Sequence, residues 1–593
     1  MKKIISIILL ATIIVACTDR FERINQNPFV ITDESLAQDY NFGSSFTNLY
    51  RNIRLTNAGN YIYAYTWQAE NWMTHTGTPR DQSNGRDMMG YFFQDDWNNR
   101  LWNWGYNTLM SPALVAMDKA KALDEPLFLA MAELTHVIGA AEMTLAYGPV
   151  IYTEYGEDKI AFDYDSEEVL YDTLFRKLDQ LKGVFFNASA EKASVFARFD
   201  PQYGAQSPKN HTSASNPTGS TKQWAKFINS FKLRLAMRLV KVSPTVARAR
   251  FEEAVRDEAG LMLVNDDNFW CRFTGVHPYW QESQSWTDLR MGSGHEEVLV
   301  GFEDPRIFRW WNKLTSNSTA DISAKFVNNF PNYDWKTDNG ANPNQERHPD
   351  FYWYKGIAPG SWLDLGKFRD AYSPVQTYLN DLEGGYRKMP VMLASEVYFL
   401  LAEGALRGWD VANAGGKSAQ GYYEDGVRQS FLEWGVPDAA TAAADYLLHG
   451  DDKMPINYVD PSDGVVFTDP SKYNSYDTRM IEKDAYTVKW KDDVDIESQL
   501  ERLMTQKWIA LYMNSIEAWS DFRRTGYPKV AFPIQNNSTA QWGVVPEGQH
   551  IKRNPFVERE RLSNPGLANA IQKLGGPNSM NTRLWIHPEG SNF

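Results

Sequence analysis

Trp224-Ala225-Lys226-Phe227-Ile228-Asn229-Ser230-Phe231-Lys232-Leu233-Arg234-Leu235-Ala236-Met237-Arg238 is the stretch from which the fold can be read. Trp224, Phe227, Ile228, Phe231, Leu235 and, just beyond, Leu239 follow the i, i+3, i+4, i+7 spacing that lays one apolar stripe along a helix. Lys226, Lys232, Arg234 and Lys241 fall mostly off that stripe. The pattern predicts a half-buried helix.

The same period returns along the chain. Leu393, Val397, Leu400, Leu401 and Ala405 carry it, and so do Leu500, Leu503, Met504, Trp508, Leu511 and Tyr512. Further helical segments fall near 97–123, 126–147, 166–184, 244–258 and 418–434. Several are paired across short breaks such as Leu123-Asp124-Glu125-Pro126, where Asp124 reads as an N-cap and Pro126 as a first-turn proline. Paired amphipathic helices bury their apolar faces against the next pair. The expected class is therefore all-α, with TPR-like hairpins forming a scaffold, although no clean 34-residue self-similarity is present. Between the helices, residues 61–96, 262–390 and 451–495 are rich in Asn, Asp, Gly, Ser and Pro, with Trp and Tyr interleaved. Long irregular loops of this kind are often functional, so the loops are expected to carry a ligand-binding face.

The N-terminus reads as a leader. Lys2 and Lys3 precede an apolar run from Ile4 to Ala16, shorter than the roughly 20 residues a membrane-spanning helix needs. The run ends in Ile14-Val15-Ala16-Cys17, which resembles a bacterial lipobox. Residues 1–16 are expected to be a signal peptide, Cys17 the acylated first residue of the mature chain, and 17–593 one domain. With Cys17 acylated, Cys271 is left without a disulfide partner and reads as a small buried hydrophobe.

A formal charge of −14 without any basic run argues against nucleic acid, whose affinity for proteins comes largely from clustered Lys and Arg. No H-E-x-x-H, G-x-S-x-G, P-loop or EF-hand pattern is present, and His295-Glu296-Glu297 lacks a second histidine four residues on. No catalytic residue, metal or cofactor is assigned. Aromatic residues make up 14% of the chain, with 21 Trp and 30 Tyr, and the loops hold several of them. Trp72 lies in Asn71-Trp72-Met73-Thr74-His75, Trp280 and Trp286 in Tyr279-Trp280-Gln281-Glu282-Ser283-Gln284-Ser285-Trp286, Trp335 after Asn332-Tyr333-Asp334, and Trp353 in Phe351-Tyr352-Trp353-Tyr354. A pyranose presents an apolar C–H face and a ring of hydroxyls, which suits an aromatic platform flanked by amides, carboxylates or guanidinium groups. Trp72 and at least one of Trp280, Trp335 and Trp353 are expected to stack on ligand, with Arg80 and Asp81 as polar partners. By contrast, Glu396, Glu403, Arg523 and Arg524 read as pairs between helices, and Trp508 and Trp519 as core.

These segments also resemble a known family. Trp224 to Arg238 is similar to the W-x-K-x-x-N-S-L-x-L-R-x-A-x-R helix of the SusD/RagB proteins, and Ala394-Ser395-Glu396-Val397-Tyr398-Phe399-Leu400-Leu401-Ala402-Glu403 to their S-E-x-x-x-L-x-A-E helix. Gln506-Lys507-Trp508-Ile509-Ala510-Leu511-Tyr512 and Glu517-Ala518-Trp519-Ser520-Asp521-Phe522-Arg523-Arg524-Thr525-Gly526 resemble the family's Q-K-W-x-A-L … E-A-W-x-D-x-R-R-T-G signature. Tyr147-Gly148-Pro149 resembles the turn after its early helix pair, while Ile586-His587 departs from its closing residues. The resemblance implies a lipid-anchored outer membrane protein of a Bacteroidetes-type bacterium. It also implies an oligosaccharide ligand, sometimes a peptide, and a SusC-like TonB-dependent β-barrel as partner. A glycoside hydrolase on a helical scaffold is the third reading, and no motif supports it.

Overall fold

The helical periodicity of the sequence is realised in a computed structural model that describes residues 43–79, 88–314, 348–351, 353–361, 371–451, 453–456, 458, 460 and 486–593. Cys17, Arg80, Asp81 and Trp335 lie outside the described residues. Eleven helices carry the frame: α1 (Gly43–Asn52), α2 (Asp95–Asn103), α3 (Ser111–Ala122), α4 (Pro126–Tyr147), α5 (Glu167–Phe186), α6 (Gly219–Arg238), α7 (Pro244–Arg256), α8 (Ala394–Leu406), α9 (Ala419–Glu433), α10 (Ile496–Ala510) and α11 (Ser515–Thr525). They pack as neighbours, α3 on α4, α5 on α6, α6 on α7, and α8 on both α9 and α10. The chain is the all-α scaffold of TPR-like hairpins that its periodicity predicts.

Local chemistry sets the boundaries. Ser166, Ser418 and Asp495 cap α5, α9 and α10 by accepting the N–H of Val169, Gly421 and Ser498. Pro126 opens α4 as expected. Asp124 is not its cap; it sits at φ 53° and closes the preceding turn through its N–H to Lys121 O at 3.2 Å. Gly148 ends α4 at φ 84°, where a Cβ would press to 3.0 Å from Leu584.

The predicted half-buried α6 is buried nearly all round. Its stripe is covered, as expected, but so are Lys232, Arg234 and Arg238. Each cation meets carboxylate from a neighbouring helix. Lys232 pairs with Asp179 of α5 and with Glu253 of α7 at 3.1 Å, Arg234 clasps Glu396 of α8 with two bonds of 2.6 Å, and Arg238 pairs with Glu517 of α11. Buried charge is tolerated only when paired and hydrogen-bonded, and that pairing locks α6 at the centre of the bundle.

Two small antiparallel pairs interrupt the loops. β1 (Thr76–Gly77) pairs with β3 (Arg290–Met291), and β2 (Phe269–Phe273) with β4 (Arg387–Met392), Arg272 standing opposite Lys388. The stretch 61–96 is less irregular than expected, because a helix starting at Ala58–Tyr61 continues through wide turns over Ile62–Glu70. Cys271 is 1% exposed, and burial pushes its thiol up to about 12, so it packs as an inert hydrophobe.

Candidate functional site

The irregular layer is organised by residues 373–380. Ser373 N donates to Lys355 O at 2.9 Å and Met291 N to Ser373 O at 2.9 Å, while Asn312 N reaches Pro374 O at 2.8 Å and Gln376 N reaches Trp310 O at 2.9 Å. Val375 N donates to Ser283 Oγ at 2.9 Å. One segment thus stitches together the three loops that carry Trp280 and Trp286, Trp310 and Trp311, and Trp353. These bonds satisfy backbone groups that would otherwise be stranded, and they fix the loops to the helical core.

On that layer Trp280 and Trp353 are half-buried, and Trp286 is 41% exposed. Trp280 closes the helical turn Pro278–Trp280, which packs on the turn Thr377–Asn380. Trp286 is held through its N–H to Gln281 O at 2.9 Å, and Trp353 O accepts from Leu314 N at 2.9 Å. The loop backbone is therefore pinned while the indoles keep open surface. The Thr377–Asn380 turn, on which Pro278–Trp280 packs, also contributes Tyr378 to a cavity of about 260 Å³ lined by Trp270, Arg309, Leu382, Trp434 and Met513, among others. Arg309 holds its guanidinium 4.2 Å above the Tyr378 ring and donates through Nε to Trp434 O at 3.0 Å. Burial pushes the Tyr378 phenol up to about 12, so it remains a neutral donor.

Trp72 corrects the sequence expectation. It is 5% exposed, its ring lies 4.8 Å from that of Trp519, and its Nε1–H reaches Met88 O at 2.9 Å. Its polar neighbours face inward as well: Asn71 bonds Thr76 and Thr78 at 2.8 and 3.0 Å, and His75 bonds Ser515 and the Trp508 carbonyl at 2.7 and 3.0 Å. Trp72 is thus a core side chain with no open face. Of the residues expected to pair between helices, Glu396 meets Arg234 and Glu403 meets Arg524 at 2.6 and 2.8 Å, whereas Arg523 donates instead to the Trp519 and Lys552 carbonyls at 3.2 and 2.9 Å; Trp508 and Trp519 are 2% and 1% exposed. His295 is fully buried against Trp310, and among the described residues no group of three or more His, Cys, Asp and Glu is placed to hold a metal. Sequence reasoning missed Arg309 and Tyr378. Arg309 sits in Ile307-Phe308-Arg309-Trp310, which reads as core, and only the fold brings Tyr378 beneath it.

The arrangement offers indole faces, a guanidinium and amides on a fixed frame, which is binding chemistry. The model of the SusD-like family, described as Susd and RagB outer membrane lipoprotein, matches residues 23–587. The chain belongs to the SusD-like family. A chitin-binding SusD homologue from Flavobacterium johnsoniae is 30% identical, with a TM-score of 0.74 over 93% of this chain and 99% of that one. A SusD homologue from Bacteroides uniformis is 26% identical at a TM-score of 0.73, covering 93% of this chain and all of its own. One from Bacteroides thetaiotaomicron is 26% identical at 0.71, covering 93% and 99%. No curated protein matches the chain. The SusD-like fold explains the departure at the C-terminus. His587 packs inside and its Nε2 lies 3.2 Å from Ser520 Oγ, so the residue serves local packing.

Proposed function

We propose that this SusD-like chain is a surface lipoprotein that captures oligosaccharides on the layer bearing Trp280, Trp286 and Trp353. Cys17 anchors it to the outer membrane, and it delivers its cargo to a SusC-like TonB-dependent barrel. The carrying observation is the pair of partly open indoles at Trp280 and Trp286 on a pinned layer, in a chain 30% identical to a chitin-binding homologue across 93% of its length. Arg80, Asp81 and Trp335 belong to the same proposal as further ligand contacts. Nothing in the arrangement requires bond cleavage, and the role is binding rather than hydrolysis.

Stacking on an indole contributes about 0.5–1.5 kcal/mol beyond the area it buries. Calorimetric titration with chito-oligosaccharides and a panel of other neutral oligosaccharides should yield a binder. Trp280→Ala together with Trp286→Ala should weaken that binding about tenfold or more. Saturable binding of defined peptides in place of glycans would reverse the cargo assignment. New reducing ends after long incubation with polysaccharide would reverse the binding-only role.

A further inference from the structure

Among the described residues, Arg272 is the buried arginine to which the fold gives no hydrogen-bond acceptor, with Glu383 as its nearest counter-charge. Ten arginines are buried among the described residues. Nine of them donate to a carboxylate, an amide, a hydroxyl or a backbone carbonyl, as Arg234, Arg306 and Arg553 do. Arg272 is 7% exposed, and its Nε and Nη1 are covered with no hydrogen-bond partner. Such a group costs stability unless something satisfies it, which directs attention to the space it faces.

The wall belongs to a cavity of about 140 Å³ that Arg272 shares with Gln202, Lys209, Asn268, Lys388 and Glu433, among others. Its other charges cancel locally. Lys209 pairs with Asp266 at 2.7 Å, and Lys388 pairs with Glu383 while its ammonium lies 4.9 Å over the Trp270 ring. Glu433 accepts the Ser395 N–H at 2.9 Å, and burial pushes its carboxyl up to about 7, towards the neutral form. Glu383 is the nearby acid, yet it forms its ion pair with Lys388. The Gln202 amide oxygen is also covered and unpartnered. What remains is a guanidinium with two covered N–H groups unpaired, facing a small polar space. Strand register adds to it, since Arg272 and Lys388 stand directly opposite on β2 and β4, a like-charge pairing that costs stability in a sheet.

The 260 Å³ cavity beside the aromatic layer shares Trp270, Glu383, Lys388 and Glu433 with this one. A ring lodged against Tyr378 and Trp434 could therefore extend a substituent past Trp270 towards Arg272. We propose that the lobe at Arg272 is an acceptor subsite for an anionic substituent on a sugar, a carboxylate or a sulfate ester. Guanidinium pairs with both through charge-assisted hydrogen bonds, which are stronger than neutral ones. The inference rests on the glycan reading for the sugar ring, and on Arg272 alone for the charge.

The test is calorimetric titration of the full chain with tetragalacturonate, its methyl ester, a sulfated carrageenan tetrasaccharide, chitotetraose and a short peptide with a free C-terminal carboxylate. At least one anionic sugar should bind tenfold or more tighter than the neutral tetragalacturonate methyl ester. A preference for tetragalacturonate assigns a carboxylate, and one for the carrageenan fragment assigns a sulfate. Arg272→Gln should abolish the preference, Arg272→Lys should restore part of it, and neither should alter whatever binding chitotetraose shows. Glu383→Gln, which frees Lys388, should strengthen it. Melting curves accompany each variant; removing an unpaired buried cation should leave Tm unchanged or raise it. No anionic preference in the wild type, or one that survives Arg272→Gln, overturns the subsite. Binding of the peptide alone overturns the sugar assignment. Failure of neutral glycans with retention of the anionic preference would overturn the neutral-oligosaccharide cargo of the proposed function and leave Arg272 standing.

Discussion

Trp72 and Trp286 both stand in polar loop sequence, yet one is 5% exposed and the other 41%. Local contrast could not separate them, because polar neighbours serve two masters. Around Trp72, Asn71, His75, Thr76 and Thr78 bond to one another and to the α10–α11 turn, leaving nothing for a ligand. Their identity was legible in the sequence, but the destination of their hydrogen bonds was not. Trp72→Ala should therefore destabilise the fold by about 3–5 kcal/mol, the usual cost of emptying a buried aromatic site. Urea unfolding will show it melting like Trp508→Ala. Trp286→Ala should stay within about 0.5 kcal/mol of the parent, with its effect confined to ligand titration. The composition follows the same logic. Trp102, Trp104, Trp224, Trp310, Trp311, Trp508 and Trp519 are among the largest fully buried side chains. Much of the aromatic surplus that suggested ligand contact therefore fills the core.

Helix α8 shows what periodicity does and does not reveal at the scale of an element. Its apolar stripe predicted the helix, and Glu396 and Glu403 were expected to pair between helices. Their partners, Arg234 on α6 and Arg524 on α11, come from distant sequence and are fixed only by packing. One helix thus ties two others through carboxylates seven residues apart on one face. Glu403→Gln should cost about 3–5 kcal/mol, because it leaves Arg524 buried with less than its counter-charge. The pH dependence has two opposing parts. Burial alone would raise the Glu403 pKa, but Arg524 and Arg407 hold it down at about 2. Its stabilisation is complete above the ordinary carboxylate value and is lost as pH falls towards 2. Glu70 and Glu433 go the other way, since burial lifts both to about 7 against the hydrogen bonds they accept. Their contribution is complete below the ordinary carboxylate value and is lost as pH rises through 7. Against them stand the buried histidines His75, His136, His277, His295, His550 and His587, whose pKa values burial lowers, so that each adds stability as pH rises towards the ordinary histidine value. The Glu433 contribution is therefore read as a difference: in urea unfolding, Glu433→Gln should gain stability relative to the parent between about pH 5 and pH 8. A Glu433→Gln profile that ran parallel to the parent's across this interval would contradict the assignment.

At the scale of the whole molecule, the question is how a chain of this charge stays at a membrane. The long apolar helix α4 has the length and hydropathy to cross one, but 89% of the relevant window is buried in the bundle. It is the core of the scaffold and is not available to lipid. The proposed anchor is Cys17, and the proposed barrel partner is a second hold. A single acyl chain holds only weakly, and stable attachment takes more than one, which modification at a lipobox cysteine supplies. Two variables must be separated, because a barrel that grips the protein would retain it even without lipid. Cys17→Ser expressed in cells that lack the SusC-like partner should appear in the soluble fraction or as unprocessed precursor, while the parent chain remains with the membrane. In cells that contain the partner, mild-detergent extraction of the parent should bring the barrel down with it. Retention of Cys17→Ser on membranes without the barrel would rule out the lipid anchor. Repeated recovery of the parent chain alone would count against the barrel as the receiver of its cargo.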